Sequence, residues 1–365
     1  MVNFIKPIAK SILRPFARPI FDRMRLIARE ESFSAIHSAK SEDRMRLIAR
    51  EESFSAIHSA KSEDRYIVKQ PYTLVNVELT NSCPMKCVIC PRPKKMTREI
   101  GFMDFQIFRS IIEQYRTDNP FASDNVVWLH HFGDSLLHPD FDKFITYMSS
   151  RGMKPGISIN PWLLTSEKAI RLLRAQPAQI LIMFDGIDDE SFFETRGVLG
   201  IFQKSYENTL YFLRISKELS PGTDVAITCV DIPMWKEKCN RIVKFWCERH
   251  GIEVQRKQFT VWNGESDYIN SLADQIELGK MRDNIDKNVC TSPFSTLSIL
   301  FNGDVVICCY DYNGFSVIGN VRLERISDIW NSDKIRCLRY QIDSGIVMNR
   351  LCITCPYTWK KDVEK

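Results

Sequence analysis

Three cysteines stand directly after a predicted buried strand, and this arrangement restricts the fold more than any other feature of the chain. The strand is predicted over residues 72–80, an apolar and β-branched run. Cys83, Cys87 and Cys90 follow it with the spacing C-x3-C-x2-C. Zinc sites usually combine paired C-x2-C steps with four ligands, so three unevenly spaced thiols better suit an iron–sulfur cluster with one iron left free. A zinc site is the alternative.

After these cysteines the chain alternates between predicted strands and predicted helices. Further strands are predicted at residues 125–131, 154–160, 179–185, 224–230 and 253–261. Helices are predicted at residues 104–115, 139–150, 165–174 and 236–250, with another long helical stretch that ends near residue 219. Repeated β-α units imply a parallel sheet, and sites in parallel sheets gather at the carboxyl ends of the strands. The three cysteines lie at one such end.

A second group of cysteines lies near the carboxyl end of the chain. The segments 295–301 and 304–308 read as a hairpin with a tight Asn302-Gly303 turn, and a helix is predicted around residues 325–338. Neighbouring residues on a strand face opposite ways, so only one of the two adjacent cysteines at 308 and 309 is expected to be a ligand. Either zinc or a [4Fe–4S] cluster could be held by four thiols of this group: Cys290, Cys308, Cys309, Cys352 and Cys355.

Four further cysteines lie inside predicted strands or helices and are expected to pack as small apolar residues: Cys229, Cys239, Cys247 and Cys337. The adjacent His130 and His131 are the last two residues of the second predicted strand. Packing or solvent exposure is the plainer interpretation of this pair, and a proton acceptor that faces the cavity is the alternative.

Composition limits the class of protein and its compartment. The chain has 365 residues, 44% of them hydrophobic, which suffices for one large domain with an appendage. No run of about 18 apolar residues predicts a membrane helix. The cysteines are grouped like ligands and no signal peptide is evident, which predicts a reducing cytoplasm. A net charge of +5 does not argue for a nucleic-acid partner.

The amino-terminal 65 residues differ from the remainder. Residues 1–29 mix basic and apolar side chains, with prolines that would interrupt a helix. Such a stretch can contact an anionic membrane surface, for instance peripherally at the inner membrane. The alternative is a leader that is flexible or that packs on its own domain. Residues 24–44 recur unchanged at 45–65, a period of three heptads through which a helix could continue. We predict domains at residues 1–65, 66–270 and 271–365.

The first cysteine motif resembles the signature of the radical S-adenosylmethionine (SAM) superfamily. The resemblance implies a partial (β/α)6 barrel of the TIM type and a [4Fe–4S] cluster held by Cys83, Cys87 and Cys90. In that family the free iron binds SAM, and the reduced cluster cleaves it to a 5′-deoxyadenosyl radical that abstracts hydrogen from substrate. One departure is Ile89, which occupies a position that is usually aromatic but keeps its apolar character.

Other family motifs are matched after the later strands. Gly133-Asp134-Ser135 is similar to the family's Gly-Glu-Pro with a shorter acid, whereas Pro161 replaces a glycine and Met183 replaces a serine. The fork of Arg196 suits the SAM carboxylate, because guanidinium groups bind carboxylates bidentately. The resemblance implies that SAM is bound by five residues: Gly133, Asp134, Asn160, Asp185 and Arg196.

The last 75 residues resemble the SPASM or shorter twitch extension of radical SAM enzymes. The resemblance implies an auxiliary [4Fe–4S] cluster held by Cys290, Cys308, Cys352 and Cys355, with Cys309 spare. The layout is similar to that of 2-deoxy-scyllo-inosamine dehydrogenases. This implies that the enzyme oxidises a small alcohol, sugar or cyclitol and that the auxiliary cluster accepts an electron. An electron donor of the flavodoxin or ferredoxin type is implied as a partner. A peptide-modifying or protein-modifying maturase and a non-catalytic iron–sulfur or zinc protein are the alternatives.

Overall fold

The computed structural model describes residues 66–120, 124–273, 290–345 and 347–356. The basic leader and the duplicated segment lie outside the described residues, so the expected membrane contact stays a prediction. No helix in these described ranges has the length and apolar character needed to cross a bilayer.

One open sheet forms the centre of the described fold. Its strands are β1 (Thr73–Val77), β2 (Val126–Trp128), β3 (Lys154–Ile159), β4 (Gln179–Met183), β5 (Asp224–Asp231), β6 (Val254–Gln258), β7 (Thr296–Ile299), β8 (Asp304–Val306) and β9 (Val317–Asn320). Their spatial order is β6-β5-β4-β3-β2-β1-β7-β8-β9. The pairings from β6 through β1 to β7 are all parallel, which confirms the predicted partial barrel.

The carboxyl-terminal cysteine region continues this sheet. Strand β7 pairs with β1 in parallel, and β8 and β9 then add antiparallel. The β7–β8 hairpin confirms the predicted Asn302-Gly303 turn, where Gly303 adopts a φ of +91° that favours glycine. The two cysteine groups are therefore joined through neighbouring strands.

Helices connect the parallel strands and cover the outer face of the sheet. Five of them begin at an acceptor side chain that caps the first turn: Asp104, Thr165, Asp188, Ser266 and Asn349. The helices are α1 (Arg92–Lys95), α2 (Phe105–Asp118), α3 (Phe141–Ser149), α4 (Ser166–Arg174), α5 (Asp189–Arg196), α6 (Phe202–Leu219), α7 (Lys236–His250), α8 (Asp267–Ser271), α9 (Ser292–Ser295), α10 (Ile326–Trp330), α11 (Asp333–Ser344) and α12 (Arg350–Ile353).

Three predictions from the sequence need correction. The long helix before residue 219 is two helices, because Gly197 adopts a left-handed conformation and ends α5. The helix around residues 325–338 is likewise two, separated at Asn331 and Ser332. Cys247 lies on the exposed side of α7 and does not pack inside, whereas Cys229, Cys239 and Cys337 are buried as expected.

The two faces of the sheet differ in chemistry. Residues such as Leu74, Val127 and Ile180 belong to the apolar core beneath the helices. Because neighbouring residues on a strand face opposite ways, the intervening positions form the inner face of the barrel. That face is polar at several strands, for example at Asn76, His130 and Ser158. A sheet that is apolar outside and polar inside provides a chamber for a polar ligand.

Candidate active site

The three predicted cluster ligands lie together in the loop that leaves β1. The Cys90 N–H donates to the Cys87 carbonyl oxygen at 3.2 Å, which closes the C-x2-C step into a turn. Burial raises the pKa of the Cys83 and Cys90 thiols to about 12, and Cys87 interacts electrostatically with both. Thiols in this setting stay protonated unless iron replaces the protons. This donor set therefore fits the cluster, with three thiolates for three irons.

The end of α5 holds the cluster loop by backbone hydrogen bonds. The Lys86 N–H donates to the Arg196 carbonyl at 2.9 Å, and the Val88 N–H donates to the Thr195 carbonyl at 3.0 Å. Gly197, which follows, has a φ of +69°, and a Cβ there would lie 2.5 Å from the Lys86 carbonyl oxygen. A glycine is required at this position both by the backbone conformation and by the closeness of the loop.

Gly197→Ala is expected to loosen the loop and lower iron binding at the first cluster. Gly251→Ala is a matched control, because Gly251 also ends a helix at a φ of +63° but has no atom within 4 Å of an added Cβ. The left-handed strain of about 1–2 kcal/mol is common to both variants. Only Gly197→Ala adds a clash, so it should lose more stability and more iron, measured by denaturant unfolding and iron analysis. Equal losses in the two variants would contradict the role of the contact.

Two other side chains fix the same loop and were not identified from the sequence. Arg92 Nη2 donates to the Met85 carbonyl at 2.8 Å and also contacts the Cys83 carbonyl. Trp262 Nε1 donates to the Ile89 carbonyl at 2.7 Å. Arg92 lies two residues after the last cysteine and could have been suspected. Trp262 could not have been suspected from its position, because it lies 173 residues from Ile89 in the sequence.

Arg196 joins the cluster loop to the ends of β4 and β5. Its guanidinium forms an ion pair with Asp185, and its Nη1 lies 3.5 Å from the Cys87 sulfur. Asp185 also accepts the Val230 N–H at 2.8 Å. Burial opposes the charge of Arg196, but Asp185 and Cys87 raise its pKa overall. The predicted carboxylate-binding cation is therefore charged and stands beside a cluster ligand.

Asp134 and Asn160 link the ends of β2 and β3. The Asp134 carboxylate accepts the Leu136 N–H at 3.0 Å and the Asn160 N–H at 2.9 Å, and burial raises its pKa to about 6. Gly133 precedes it, where a Cβ would lie 2.1 Å from the Thr80 carbonyl oxygen. Asp134, which is shorter than the family's glutamate, therefore already accepts hydrogen bonds from backbone amides of the protein.

Two residues of the predicted SAM-binding set have buried donor atoms without a hydrogen-bond partner among the described residues. These are Arg196 Nε and Asn160 Nδ2. Buried polar groups are normally hydrogen-bonded, so donors of this kind fit an acceptor-rich ligand such as SAM. All five residues predicted to contact SAM surround the cysteine loop or the adjoining strand ends, and their individual contacts with SAM stay predictions.

Three of the auxiliary cysteines are linked by direct interactions. Cys355 interacts electrostatically with Cys308, Cys352 is buried in the main apolar core, and Cys290 and Cys308 pack against that core. The Cys355 N–H donates to the Cys352 carbonyl at 3.2 Å, so this C-x2-C step forms a turn like the first one. Among the described residues no three His, Cys, Asp or Glu side chains are arranged around a single ion. A four-iron cluster does not require that, since each iron takes one thiolate.

Cys309 differs from its neighbour. It is exposed, and its carbonyl oxygen lies 2.8 Å from His131 Nε2, which donates to it. Cys308 is the residue of the pair that packs against the main apolar core and interacts with Cys355. This placement agrees with the expectation that Cys308 is the ligand, which stays a prediction.

A buried ion pair joins the cluster loop to the auxiliary region. Both oxygens of Glu78 accept from Arg98 at 2.8 Å, and Arg98 Nε donates to the Tyr312 carbonyl at 2.7 Å. Burial alone would raise the pKa of Glu78, but the hydrogen bonds from Arg98 lower it to about 2. The Phe301 N–H, just after β7, also lies 3.3 Å from Glu78. Glu78 is therefore a fixed anion between the two cysteine groups.

The paired histidines have different surroundings. His130 Nδ1 accepts the Ser158 N–H at 3.1 Å, so the proton of the neutral ring is on Nε2. Burial and the charge of Lys257 lower the pKa of His130 to about 3. His131 is held by Cys309 at one nitrogen and lies 3.7 Å from Glu78 at the other. Packing is the better interpretation of His131, whereas His130 is a neutral donor on the inner face of the barrel.

Comparison with known families agrees with this geometry. The family model of the Radical SAM superfamily matches residues 77–245, and that of SPASM, an iron–sulfur cluster-binding domain, matches residues 290–356. The two matches contain the two cysteine groups described above.

Individual relatives are distant. The chain is 24% identical over 281 residues to an S-adenosyl-L-methionine-dependent 2-deoxy-scyllo-inosamine dehydrogenase of Niallia circulans, covering 75% of this chain and 88% of the relative. It is 25% identical over 165 residues to an AdoMet-dependent heme synthase of Oleidesulfovibrio alaskensis, covering 45% of this chain and only 40% of the relative. Streptococcus suis SuiB bound to S-adenosylmethionine shares the fold, with a TM-score of 0.55 at 14% identity over 96% of this chain and 89% of SuiB.

Proposed function

The chain belongs to the radical SAM superfamily and carries a SPASM domain, and from this premise we propose that it oxidises a small alcohol, sugar or cyclitol to a ketone. The proposal is supported by the layout, in which a SAM-type cysteine set and an auxiliary set follow adjoining strands, and by a sequence match that covers 88% of the dehydrogenase from Niallia circulans. Fold alone does not fix a substrate, so the reaction requires its own test.

Both clusters and SAM have residues that fit them. The first cluster would be held by Cys83, Cys87 and Cys90, and the auxiliary cluster by the four cysteines of the SPASM region. When bound and reduced, the first cluster supplies a 5′-deoxyadenosyl radical from SAM. The substrate would lose one hydrogen atom from its carbinol carbon, one proton from its hydroxyl and one electron to the auxiliary cluster, which balances the oxidation.

The residues of this chain would position SAM and exclude water. Arg196 and Asn160 present buried donors beside the cluster loop, and Arg196 carries the positive charge that a carboxylate needs. The inner face of the sheet lies next to these donors and is where a substrate would reach the radical. An electron donor of the flavodoxin or ferredoxin type is proposed with the activity.

The experiment is an anaerobic reconstitution of the full chain with iron and sulfide, followed by reduction and addition of SAM. Formation of 5′-deoxyadenosine with about eight irons per chain is the expected result, because two four-iron clusters are implied. Alcohols, sugars and cyclitols deuterated at the carbinol carbon are then supplied. Deuterium in 5′-deoxyadenosine together with an equal amount of ketone supports the dehydrogenase.

Two other outcomes would overturn the proposal in different ways. Production of 5′-deoxyadenosine that takes deuterium from a labelled peptide but from no carbinol would favour a peptide-modifying maturase. Absence of 5′-deoxyadenosine from protein that carries both clusters would favour a non-catalytic iron–sulfur protein. Replacing the chemical reductant by reduced flavodoxin or ferredoxin tests the proposed electron donor in the same assay.

A further inference from the structure

Lys257 stands on the inner face of the barrel, outside the predicted SAM-binding set. On β6, Val254 packs in the outer apolar core and Arg256 donates to Asn240 of helix α7 at 2.8 Å. Lys257 follows Arg256 and therefore faces the opposite side, into the barrel. It pairs in register with Val230, whose N–H binds Asp185. The ammonium therefore lies near the layer formed by Asp185 and Arg196.

The ammonium of Lys257 forms no hydrogen bond or ion pair with any described residue. Burial lowers its pKa, although the charge of Asp185 opposes that shift and Arg196 adds to it. Lys257 is half-buried, so water solvates its ammonium only in part. Because the residue faces the barrel, a molecule that enters the barrel can supply the counter-ion that no described side chain provides.

The carboxylates around this position are already engaged. Asp185 is paired with Arg196, and Glu78 with Arg98. Asp134 accepts two backbone N–H groups. Each of these acids is held by other partners, and none of them forms an ion pair with Lys257.

His130 adds a donor on the same face. Its Nδ1 accepts the Ser158 N–H, which leaves the Nε2 proton to donate, and the ring interacts electrostatically with Lys257. A cation and a neutral N–H donor form a set that suits oxygen acceptors, above all negatively charged ones. The same set repels an ammonium group.

We propose that Lys257, supported by His130, binds an oxyanion of the substrate, so that the oxidised alcohol carries a phosphate ester or a carboxylate. This inference rests on the proposed oxidation and names the substrate class for it. Neutral cyclitols and sugars would bind more weakly, and amino-substituted ones would be disfavoured by like charge.

The test is a binding measurement on the reconstituted full chain with SAM, made anaerobically by calorimetry. The probes are myo-inositol 1-phosphate, glucuronate, unsubstituted myo-inositol and an aminodeoxyinositol, which share hydroxyl groups but differ in charge. We expect the wild type to bind at least one anionic probe about tenfold or more tighter than the neutral one, as a charged hydrogen bond implies. The phosphate and glucuronate arms distinguish the two kinds of oxyanion.

Lys257→Met and Lys257→Arg give the matched comparison. Lys257→Met should remove the preference for anions while leaving binding of unsubstituted myo-inositol within about twofold, and Lys257→Arg should keep the preference because it keeps the charge. Equal affinity of the wild type for anionic and neutral probes would overturn the inference, as would an unchanged preference in Lys257→Met. If Lys257→Met fails to fold, loss of the preference in Lys257→Arg would also overturn it.

The same samples separate this inference from the proposed function. If the wild type yields no 5′-deoxyadenosine but Lys257→Met still loses anion binding, the oxidation fails and the binding site stands. If a carbinol-deuterated substrate yields ketone and deuterated 5′-deoxyadenosine but anions bind no better than neutral probes, the binding site fails and the oxidation stands.

Discussion

Replacing Cys87 with alanine is expected to reduce SAM cleavage below detection and to lower bound iron from about eight to about four atoms per chain, because only the auxiliary cluster would remain. Cys87 is the middle thiol of the first set, in electrostatic contact with both others, and it lies 3.5 Å from Arg196. Its loss removes one of the three predicted protein ligands and the sulfur beside that guanidinium. The measurements are 5′-deoxyadenosine by chromatography and iron by colorimetry.

Cys247→Ala is the matched control for this substitution. Cys247 is exposed on α7, and its sulfur contacts only the Ile252 carbonyl at 3.4 Å among the described residues. The same change of side chain there should leave iron content and SAM cleavage at the level of the wild type. If Cys87→Ala still produced 5′-deoxyadenosine at the normal rate, the assignment of the first cluster would be wrong.

The local signals of the sequence predicted most of the fold. Helix α7 runs over Lys236–His250 as expected, because apolar residues at helical spacing are followed by Gly251 as a stop. Most strands are shorter than predicted, since apolar residues continue beyond the paired segments into the loops, whereas β5 extends one residue further, to Asp231. The helix ending near Leu219 was misjudged because the break at Gly197 depends on the closeness of the cluster loop, which is not a local property.

The candidate site could be predicted where its residues follow successive strands in the chain. Cys83, Asp134 and Arg196 fall in that class, because parallel strands bring their carboxyl ends to one edge. Trp262 could not be found, since its hydrogen bond to the cluster loop joins positions that are distant in sequence. Lys257 could not be found either, because a lysine in a strand usually faces solvent. Its place on the inner face of the barrel follows only from its pairing with Val230 of β5.

Glu78 and Arg98 were missed for the same reason, although they form a buried pair. The side chain of Glu78 is 0% exposed and that of Arg98 is 10% exposed. Neither residue lies in a recognisable motif, and their contact becomes visible only when the loop after the cysteines folds back on β1. Their interaction determines how the auxiliary region is attached to the barrel, because Arg98 also binds the Tyr312 carbonyl.

Arg98→Met is therefore expected to destabilise the protein by about 3–5 kcal/mol, because it leaves the Glu78 carboxylate buried without its counter-ion. Arg116→Met is the matched control: Arg116 pairs with Glu113 at 3.5 Å, but the two side chains are 44% and 46% exposed. Exposed pairs contribute about 0–1 kcal/mol, so this variant should behave like the wild type. The measurement is denaturant unfolding of the reconstituted protein, followed by tryptophan fluorescence under anaerobic conditions.

The pH dependence and a second substitution test the cause of that loss. Glu78 has a pKa of about 2 in the folded protein, below its ordinary 4.5, so its ionisation stabilises the wild type above pH 4.5 and this contribution is lost as the pH falls toward 2. In Arg98→Met, burial would instead raise the pKa of Glu78. Lowering the pH through this range would then protonate the carboxylate and should reduce the loss of stability of this variant. Adding Glu78→Gln to Arg98→Met removes the buried charge, so the double variant should recover part of the stability. A double variant that is no more stable than Arg98→Met would mean that packing of the arginine, rather than its charge, holds the auxiliary region to the barrel.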